Sequence, residues 1–475
     1  MLFVLPITSM PIIARILGSS SVASPAILFL AFLVVIWFVP YIFKKGKIPP
    51  HSLPLFVFFC FALLSTCTAF FINIPPFKDF SIIKENISAL ASLVIGISFY
   101  LVTSLFPQDE EDITRAMRII NWGGLILLCW VAIQAISWFG FHRYSTWMFD
   151  FQGIFSSRVL YHNRVTGFAL EPSWLAHQLN MLYLPIWLAA TVKKFSSHSF
   201  RIIGLSLENV LLFAGIIALI LTLSRGGYIA FLCMTSIILI QLNVKLIKYL
   251  TGIWQNRRRK QQPSPHQTKV LTIILSLLLI SAYIVTIFVG AIVLSKVDRR
   301  MKNIFDFSTN STNPILSYFN DLQAGERAIY WLTGWQIFND HPILGVGLGN
   351  AGFFFPEKIP AYGWTLVEVR RLAFHSDILL NIKNLWVRLL AETGVIGFSI
   401  FISWLVSLCL LLKNFVLEKK KLTSVLALVG IFVLIALPAE GFSIDSFALP
   451  FFWISLGLST TILRVKNNSN GEKTI

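Results

Sequence analysis

The chain has little charge for its length. Only 13% of its 475 residues are charged and 56% are hydrophobic, whereas about a quarter of the residues of a soluble protein are charged. It contains no P-loop and no dinucleotide-binding fingerprint. It also has no internal repeat of fixed period. The low charge argues against a soluble domain. The missing nucleotide-binding motifs leave ATP-driven transport without support.

Cysteine and acidic residues are scarce. The five cysteines lie in apolar runs without metal-ligand spacing, so we interpret them as small core residues. The acidic run Asp109–Asp112 is interpreted as a solvated turn rather than a metal cluster. A net charge of +17 would suggest nucleic acid for a soluble protein. In a membrane protein, loops facing anionic lipid heads explain it, and no nucleic acid partner is expected.

Long apolar runs are abundant. They have about the 20 residues that cross a bilayer core, and they are continuous rather than alternating, which predicts helices. The chain is therefore predicted to be an all-α polytopic membrane protein with eleven or twelve transmembrane helices. The run at 2–17 lacks the basic start of a cleavable signal and is either a twelfth span or an interfacial helix. The eleven predicted spans are 24–43, 53–73, 87–106, 117–140, 173–191, 207–223, 226–243, 270–295, 389–412, 422–438 and 443–463.

Lys and Arg predict the orientation. The short loops divide into one set with 22 of these residues and an opposite set with seven, so the first set is predicted to be cytoplasmic. Three parts follow: transmembrane helices over 1–295 with an outer segment at 141–172, a large outer loop over 296–388, and C-terminal helices with a cytoplasmic tail over 389–475. The outer loop carries ten basic residues, namely Lys296, Arg299, Arg300, Lys302, Arg327, Lys358, Arg370, Arg371, Lys383 and Arg388.

Two groups of polar residues precede spans on the outer side. Arg164 and Glu171 come just before the span that starts near Pro172 and contains His177. Glu171 is either part of a capped helix start or a carboxylate facing the outer cavity. Arg225 lies in the turn Leu-Ser-Arg-Gly-Gly between two spans. It either snorkels to the interface or binds a phosphate with its guanidinium, and we favour phosphate binding.

Two further groups lie in the large loop. Residues from Arg327 to Phe338 have helical spacing of aromatic residues, which predicts an amphipathic helix on the membrane surface. The following run Gly345-Val-Gly-Leu-Gly349 is predicted to be a flexible loop rather than a nucleotide site. His375 is either a solvated loop histidine or a proton acceptor. Arg388 and Glu392 are spaced for a helical ion pair.

These segments together resemble the O-antigen polymerase and ligase superfamily. The resemblance rests on Leu-Ser-Arg225-Gly-Gly, on Arg327 followed by Trp331 and Trp335, on Pro342-Ile-Leu-Gly-Val-Gly-Leu-Gly-Asn, and on Asn384 through Leu-Leu-Ala-Glu392-Thr-Gly. It implies a multi-pass GT-C-type glycosyltransferase of the bacterial inner membrane. Such enzymes use glycans on undecaprenyl diphosphate at the outer face, in an inverting reaction without a metal or other cofactor.

The resemblance also implies roles for residues. Arg225 and Arg327 match arginines assigned to the lipid diphosphate. Lys383-Asn384 stands where ligases usually have His-Asn, and a lysine of ordinary pKa would be a poor base. The expected site therefore has Glu171, His375 and Arg327 as catalytic residues. The expected substrate-binding residues are Arg164, Arg225, Arg327, Lys383 and Asn384.

Four functions fit this pattern to different degrees. The Glu-Pro-Ser segment and Lys383 favour a polymerase of O-antigen or a related lipopolysaccharide component, with membrane lipids and a chain-length regulator as further partners. A ligase that transfers glycan to lipid A-core or protein is the alternative. A lipid-linked glycan flippase or a small-solute transporter is less favoured, because the spans contain few interior charges and no paired carboxylates.

Overall fold

The structure is a computed structural model that describes residues 1–17, 23–257, 264–297 and 324–469. It is almost entirely helical. One antiparallel hairpin pairs β1 (Arg201–Ile202) with β2 (Leu205–Ser206). The described helices are α1 Pro11–Leu17, α2 Pro25–Phe43, α3 Pro50–Phe71, α4 Ile82–Leu105, α5 Glu110–Gly140, α6 Thr146–Phe155, α7 172–193, α8 Leu207–Leu221, α9 Arg225–Arg257, α10 Pro265–Val297, α11 Gly325–Asp340, α12 Phe355–Lys358, α13 Val367–His375, α14 Leu385–Lys413, α15 Lys421–Glu440 and α16 Phe451–Ser469.

The predicted all-α membrane architecture is confirmed. Within the described residues, eight helices are long and apolar enough to cross a membrane, and α8 and the Phe451–Arg464 part of α16 are shorter apolar helices. Together with α7, these helices coincide with the eleven predicted spans. α7 is continuous because its middle, Leu179–Tyr183, is a π-helical stretch between two α-helical segments.

Several helices have limits that differ from those of the predicted spans. α9 continues to Arg257 and α10 begins at Pro265, because helical structure extends past the apolar residues that defined the predicted spans. The predicted span at 443–463 becomes α16 only at Phe451, since residues 443–450 form a non-helical connection. Of the two alternatives for the run at 2–17, a spanning helix is not found, because residues 1–17 form only a short helical turn and the seven-residue α1.

The chain forms two compact units. The first contains Met1–Phe231 and Tyr330–Ile475, and the second contains Leu232–Ile329. In the first unit, α16 packs on α4 and α15, α14 packs on α3, and α15 packs on α7. In the second unit, α9 and α10 are joined by polar contacts such as that of the Tyr283 hydroxyl, which donates to Asn243 at 2.9 Å. The predicted division at 296 and 388 concerns the side of the membrane and stays a prediction.

Loops predicted to share the cytoplasmic side contact one another at one end of the first unit. Lys193 Nζ donates to the carbonyl of Val416 at 2.7 Å. Arg464 Nη1 donates to the carbonyl of Leu105 at 2.5 Å. These contacts agree with the predicted alternation of loops. The polar linker residues 258–263 and the basic residues Arg299, Arg300 and Lys302 lie outside the described residues.

Candidate functional site

The Arg164 segment (residues 164–166) and the Arg225 turn (residues 223–227) lie together in the first unit. α8 ends at Leu221 and α9 begins at Arg225, so only three residues connect them. The backbone N–H of Val165 donates to the carbonyl of Leu221 at 3.2 Å. Arg164 Nε donates to the carbonyl of Thr222 at 2.8 Å. Two basic residues that are 61 positions apart in the sequence are therefore anchored on the same turn.

Glu171 begins α7, as the sequence predicted, but its side chain does not cap the helix. It occupies the N-cap position in an extended conformation, with Pro172 as the first helical residue. Its carboxylate lies 2.5 Å from Arg158 Nη1 and also accepts a hydrogen bond from Ser173. Partial burial would lower the pKa of Arg158, but the charge of Glu171 and the hydrogen bond to Tyr161 outweigh it and raise that pKa. Arg158 was not predicted as a site residue.

Lys383 is held by an ion pair and an aromatic ring. Its Nζ lies 2.6 Å from Glu368 Oε1 and 4.7 Å from the centre of the Tyr330 ring. Partial burial would raise the pKa of Glu368, but the hydrogen bond and charge of Lys383, with Tyr330 and Arg371, hold it below its ordinary value. Lys383 also has a positive φ of 54°. It is thus fixed as a charged group at the start of α14.

Asn384 caps α14 and has an unused donor. Its Oδ1 accepts the backbone N–H groups of Trp386 at 2.9 Å and Val387 at 3.2 Å, which satisfies two of the free donors of the first turn. The residue is fully buried. Its Nδ2 finds no hydrogen-bond partner among the described residues. A buried amide donor of this kind can bind an acceptor atom of a ligand.

The predicted ion pair of Arg388 and Glu392 is present. Arg388 Nε lies 2.9 Å from Glu392 Oε2. Arg388 Nη1 also donates to the carbonyl of Asp445 at 3.0 Å. The side chain of Asp445 in turn accepts the backbone N–H of Lys383 at 3.1 Å. The connection between α15 and α16 therefore lies against the start of α14.

Two further predicted site residues lie in α13 and α11. His375 is the last residue of α13 and is exposed. Arg327 lies in the first turn of α11 and belongs to the second unit. The part of α11 in the first unit packs on protein, since Tyr330 and Ile337 are buried. The predicted helix is present, but this buried face contacts the protein, whereas Trp335 is 46% exposed.

The glycine-rich run is not a flexible loop, so that prediction was wrong. Val346 and Gly347 are buried, and their backbone N–H groups each donate at 2.9 Å to carbonyls of Ala391 and Glu392 in α14. The three glycines have φ values of 71°, 83° and 85°, which glycine adopts without strain. The run fixes the kink of α14 at Gly394, whose backbone is non-helical.

A comparison with protein families finds a match to the part of the chain that contains most of these residues. Residues 210–402 match the family model described as O-antigen ligase. This match supports the O-antigen polymerase and ligase superfamily that the sequence motifs indicated. No curated protein matches the chain. The matched residues include Arg225, Arg327, Lys383 and Asn384, whereas Arg164 and Glu171 precede the match.

The structure also contains candidate site residues that were not predicted from the sequence. Glu440 is buried at the end of α15, where its carboxylate contacts His177 at 3.1 Å and Asn180 at 2.7 Å. A single acidic residue between two apolar spans, preceded by Pro438, was the signal that could have identified it. Glu368 and Arg158 had no comparable signal, since charged residues in loops are common.

Proposed function

We propose that this protein polymerises oligosaccharide repeat units carried on undecaprenyl diphosphate, at the outer face of the bacterial inner membrane. The family match over residues 210–402 supports a membrane enzyme that acts on lipid-linked glycans. The polymerase activity, the undecaprenyl carrier, the inner membrane and a chain-length regulator as partner are parts of the proposal. So are the inversion of configuration at the sugar and the independence from metal ions.

The convergence of basic groups at one end of the first unit is the observation that carries the proposal. The Arg164 segment and the Arg225 turn share an anchor on the end of α8. Lys383 and Asn384 begin α14, at the connection that follows α15. A glycan donor with a diphosphate leaving group needs positive charge at the membrane surface, where its lipid tail enters the bilayer.

The residues support a simple displacement. A hydroxyl oxygen of the acceptor glycan attacks C1 of the donor sugar, and the bond from C1 to the phosphate oxygen breaks with its electron pair. Arg225 and Arg327 stabilise the charge that develops on the departing diphosphate. Arg164, Lys383 and Asn384 hold the substrates in the reactive orientation. Glu171 or His375 accepts the hydroxyl proton.

The test uses purified protein in lipid vesicles with lipid-linked repeat units as donor and acceptor. A polymerase lengthens the glycan into a ladder of multiples on the carrier lipid. Arg225→Ala and Arg327→Ala are expected to abolish the ladder at normal protein levels. Arg115→Ala is the matched control, because Arg115 is exposed and, among the described residues, forms ion pairs only with neighbours on its own helix. Unchanged glycan length in both site variants would contradict the assigned roles.

A ligase is the second candidate, and the family description of residues 210–402 favours it. The two activities differ only in the acceptor. Deleting a polymerase gene leaves single repeat units on the cell surface. Deleting a ligase gene removes the surface glycan and leaves polymer on its carrier lipid. The second phenotype would show that the protein is a ligase rather than a polymerase, and the proposed donor site would stay the same.

A further inference from the structure

A buried polar cluster lies behind the Arg225 turn. It consists of Glu440 in α15 and of His177 and Asn180 in α7, all at most 3% exposed. Glu440 Oε1 accepts from Asn180 Nδ2 at 2.7 Å, and Glu440 Oε2 lies 3.1 Å from His177 Nδ1. A charged group among apolar helices is costly to bury and is retained mainly where it has a function.

The cluster is joined directly to the turn that contains Arg225. Asn180 Nδ2 also donates to the carbonyl of Gly227 at 2.8 Å. α7 and α9 approach so closely here that a Cβ on Gly227 would lie 2.7 Å from that of Ala176. Ser443, whose hydroxyl donates to the carbonyl of Glu440, lies against Gly226 on the other side. The first turn of α9 is thus held between α7 and the end of α15.

The same segment is joined to the start of α14. The backbone N–H of Leu385 donates to the carbonyl of Gly441 at 2.7 Å. Trp386 Nε1 donates to the carbonyl of Pro438 at 2.9 Å. The residues on either side of Glu440 therefore fix the helix that Asn384 caps. One short segment contacts both groups of residues that the proposed reaction requires.

We propose that Glu440 is a positioning residue that fixes the Arg225 turn relative to the Lys383–Asn384 start of α14. It acts through Asn180 on the turn and through its neighbouring backbone on α14. The inference rests on the proposed function, since it assigns the Arg225 turn to the donor diphosphate. Its role is to hold geometry, so the hydrogen bonds of its side chain are needed and its negative charge is not.

The experiment compares Glu440→Ala with Glu440→Gln in the lipid-linked glycan assay. Alanine removes the acceptor for Asn180, and a misplacement of about 1 Å at the reacting groups can cost about 100-fold in rate. We expect kcat to fall by about that factor in the alanine variant, with a much smaller change in the KM of the donor. Glutamine keeps an oxygen for Asn180, and its amide can donate to His177 in the other tautomer. It should restore kcat to within about fivefold of wild type.

Glu208 provides a matched control in the same unit. It is also fully buried and also accepts from an asparagine, Asn121, at 3.1 Å. It lies in the first turn of α8, about 20 Å along that helix from the Arg225 turn. Glu208→Ala should lower the melting temperature as Glu440→Ala does, yet leave kcat per folded molecule unchanged.

The outcomes separate the inference from the proposed function. Wild-type kcat in folded Glu440→Ala would overturn the positioning role, and so would a glutamine variant that is folded but as inactive as alanine. If the alanine variant does not fold, Asn180→Ala breaks the same bridge and should give the same fall in kcat. A wild-type protein that lengthens no glycan would instead contradict the proposed function.

Discussion

Lys383 Nζ lies 2.6 Å from Glu368 Oε1, so the lysine that stands where ligases usually have a histidine is one half of an ion pair. In this pair the ammonium group donates a hydrogen bond to the carboxylate. It can still contribute positive charge to a phosphate. The pair also links α13 to the start of α14.

Replacing Glu368 with Gln should remove a pH-dependent contribution to stability. The pKa of Glu368 is lowered in the folded protein, so the unfolded state binds more protons as the pH falls. The wild-type advantage should be full above the ordinary Glu pKa of about 4.3 and disappear as the pH falls through the lowered value. Because both side chains are about one-third exposed, we expect only about 0.5–1 kcal/mol. Melting of both proteins in detergent from pH 3 to pH 8 measures it.

Lys383→Met serves as the control for this pair. In the Glu368→Gln background it should add no further pH dependence over the same range, since the partner carboxylate is already gone. A difference between wild type and Glu368→Gln that grows on acidification would show that the ion pair does not lower the pKa of Glu368.

The helices could be predicted from the sequence because continuous apolar runs have few alternatives in a bilayer. The ends of the helices were harder to predict. α14 begins at Leu385 because Asn384 caps it, and the predicted span began four residues later, where the apolar run starts. α16 begins eight residues after its predicted start. Residues 443–450 are apolar enough to resemble a span, but Asp445 and Ser443 are used in contacts with α14 and α9.

A site residue could be predicted only where its residue type was unusual for its position in the sequence. Arg225 did, because an arginine does not help a turn between two spans to form. Arg158 and Glu368 did not, since their significance depends on partners 13 and 15 residues away. The glycine-rich run at 345–349 was predicted wrongly for a related reason. Its glycines suggested a flexible loop, but in the fold they allow the backbone to approach α14 closely.

The kink at Gly394 should not tolerate a side chain. Its φ of 62° is rarely adopted by other residues, and a Cβ there would clash with the carbonyl of Ile343. Gly394→Ala should therefore destabilise the protein by more than about 1 kcal/mol, measured as a fall in melting temperature. Gly153→Ala is the control, because Gly153 lies in a helix with open space around it and alanine there should be neutral or stabilising. Equal melting temperatures would show that the kink does not require glycine.

The two candidate proton acceptors can be separated by substitution. Glu171 is partly buried and paired with Arg158, whereas His375 is exposed at the end of α13. We therefore expect Glu171→Gln to lower kcat by about 100-fold or more, and His375→Asn to stay within a few-fold of wild type. Arg158→Ala is the control for the ion pair: it should change kcat much less, because it leaves the carboxylate in place. The reverse ranking would assign the proton to His375.

Asn384 combines a cap with an unpartnered donor, and two substitutions separate these roles. Alanine removes both and should cost about 1 kcal/mol of stability from the lost cap. Serine keeps a capping oxygen but has no amide, so its melting temperature should stay near wild type. If Nδ2 donates to a charged group of the substrate, both variants should lose about 10-fold to 100-fold in glycan transfer, the equivalent of about 1.5–3 kcal/mol. Full transfer by Asn384→Ser would instead restrict Asn384 to capping α14.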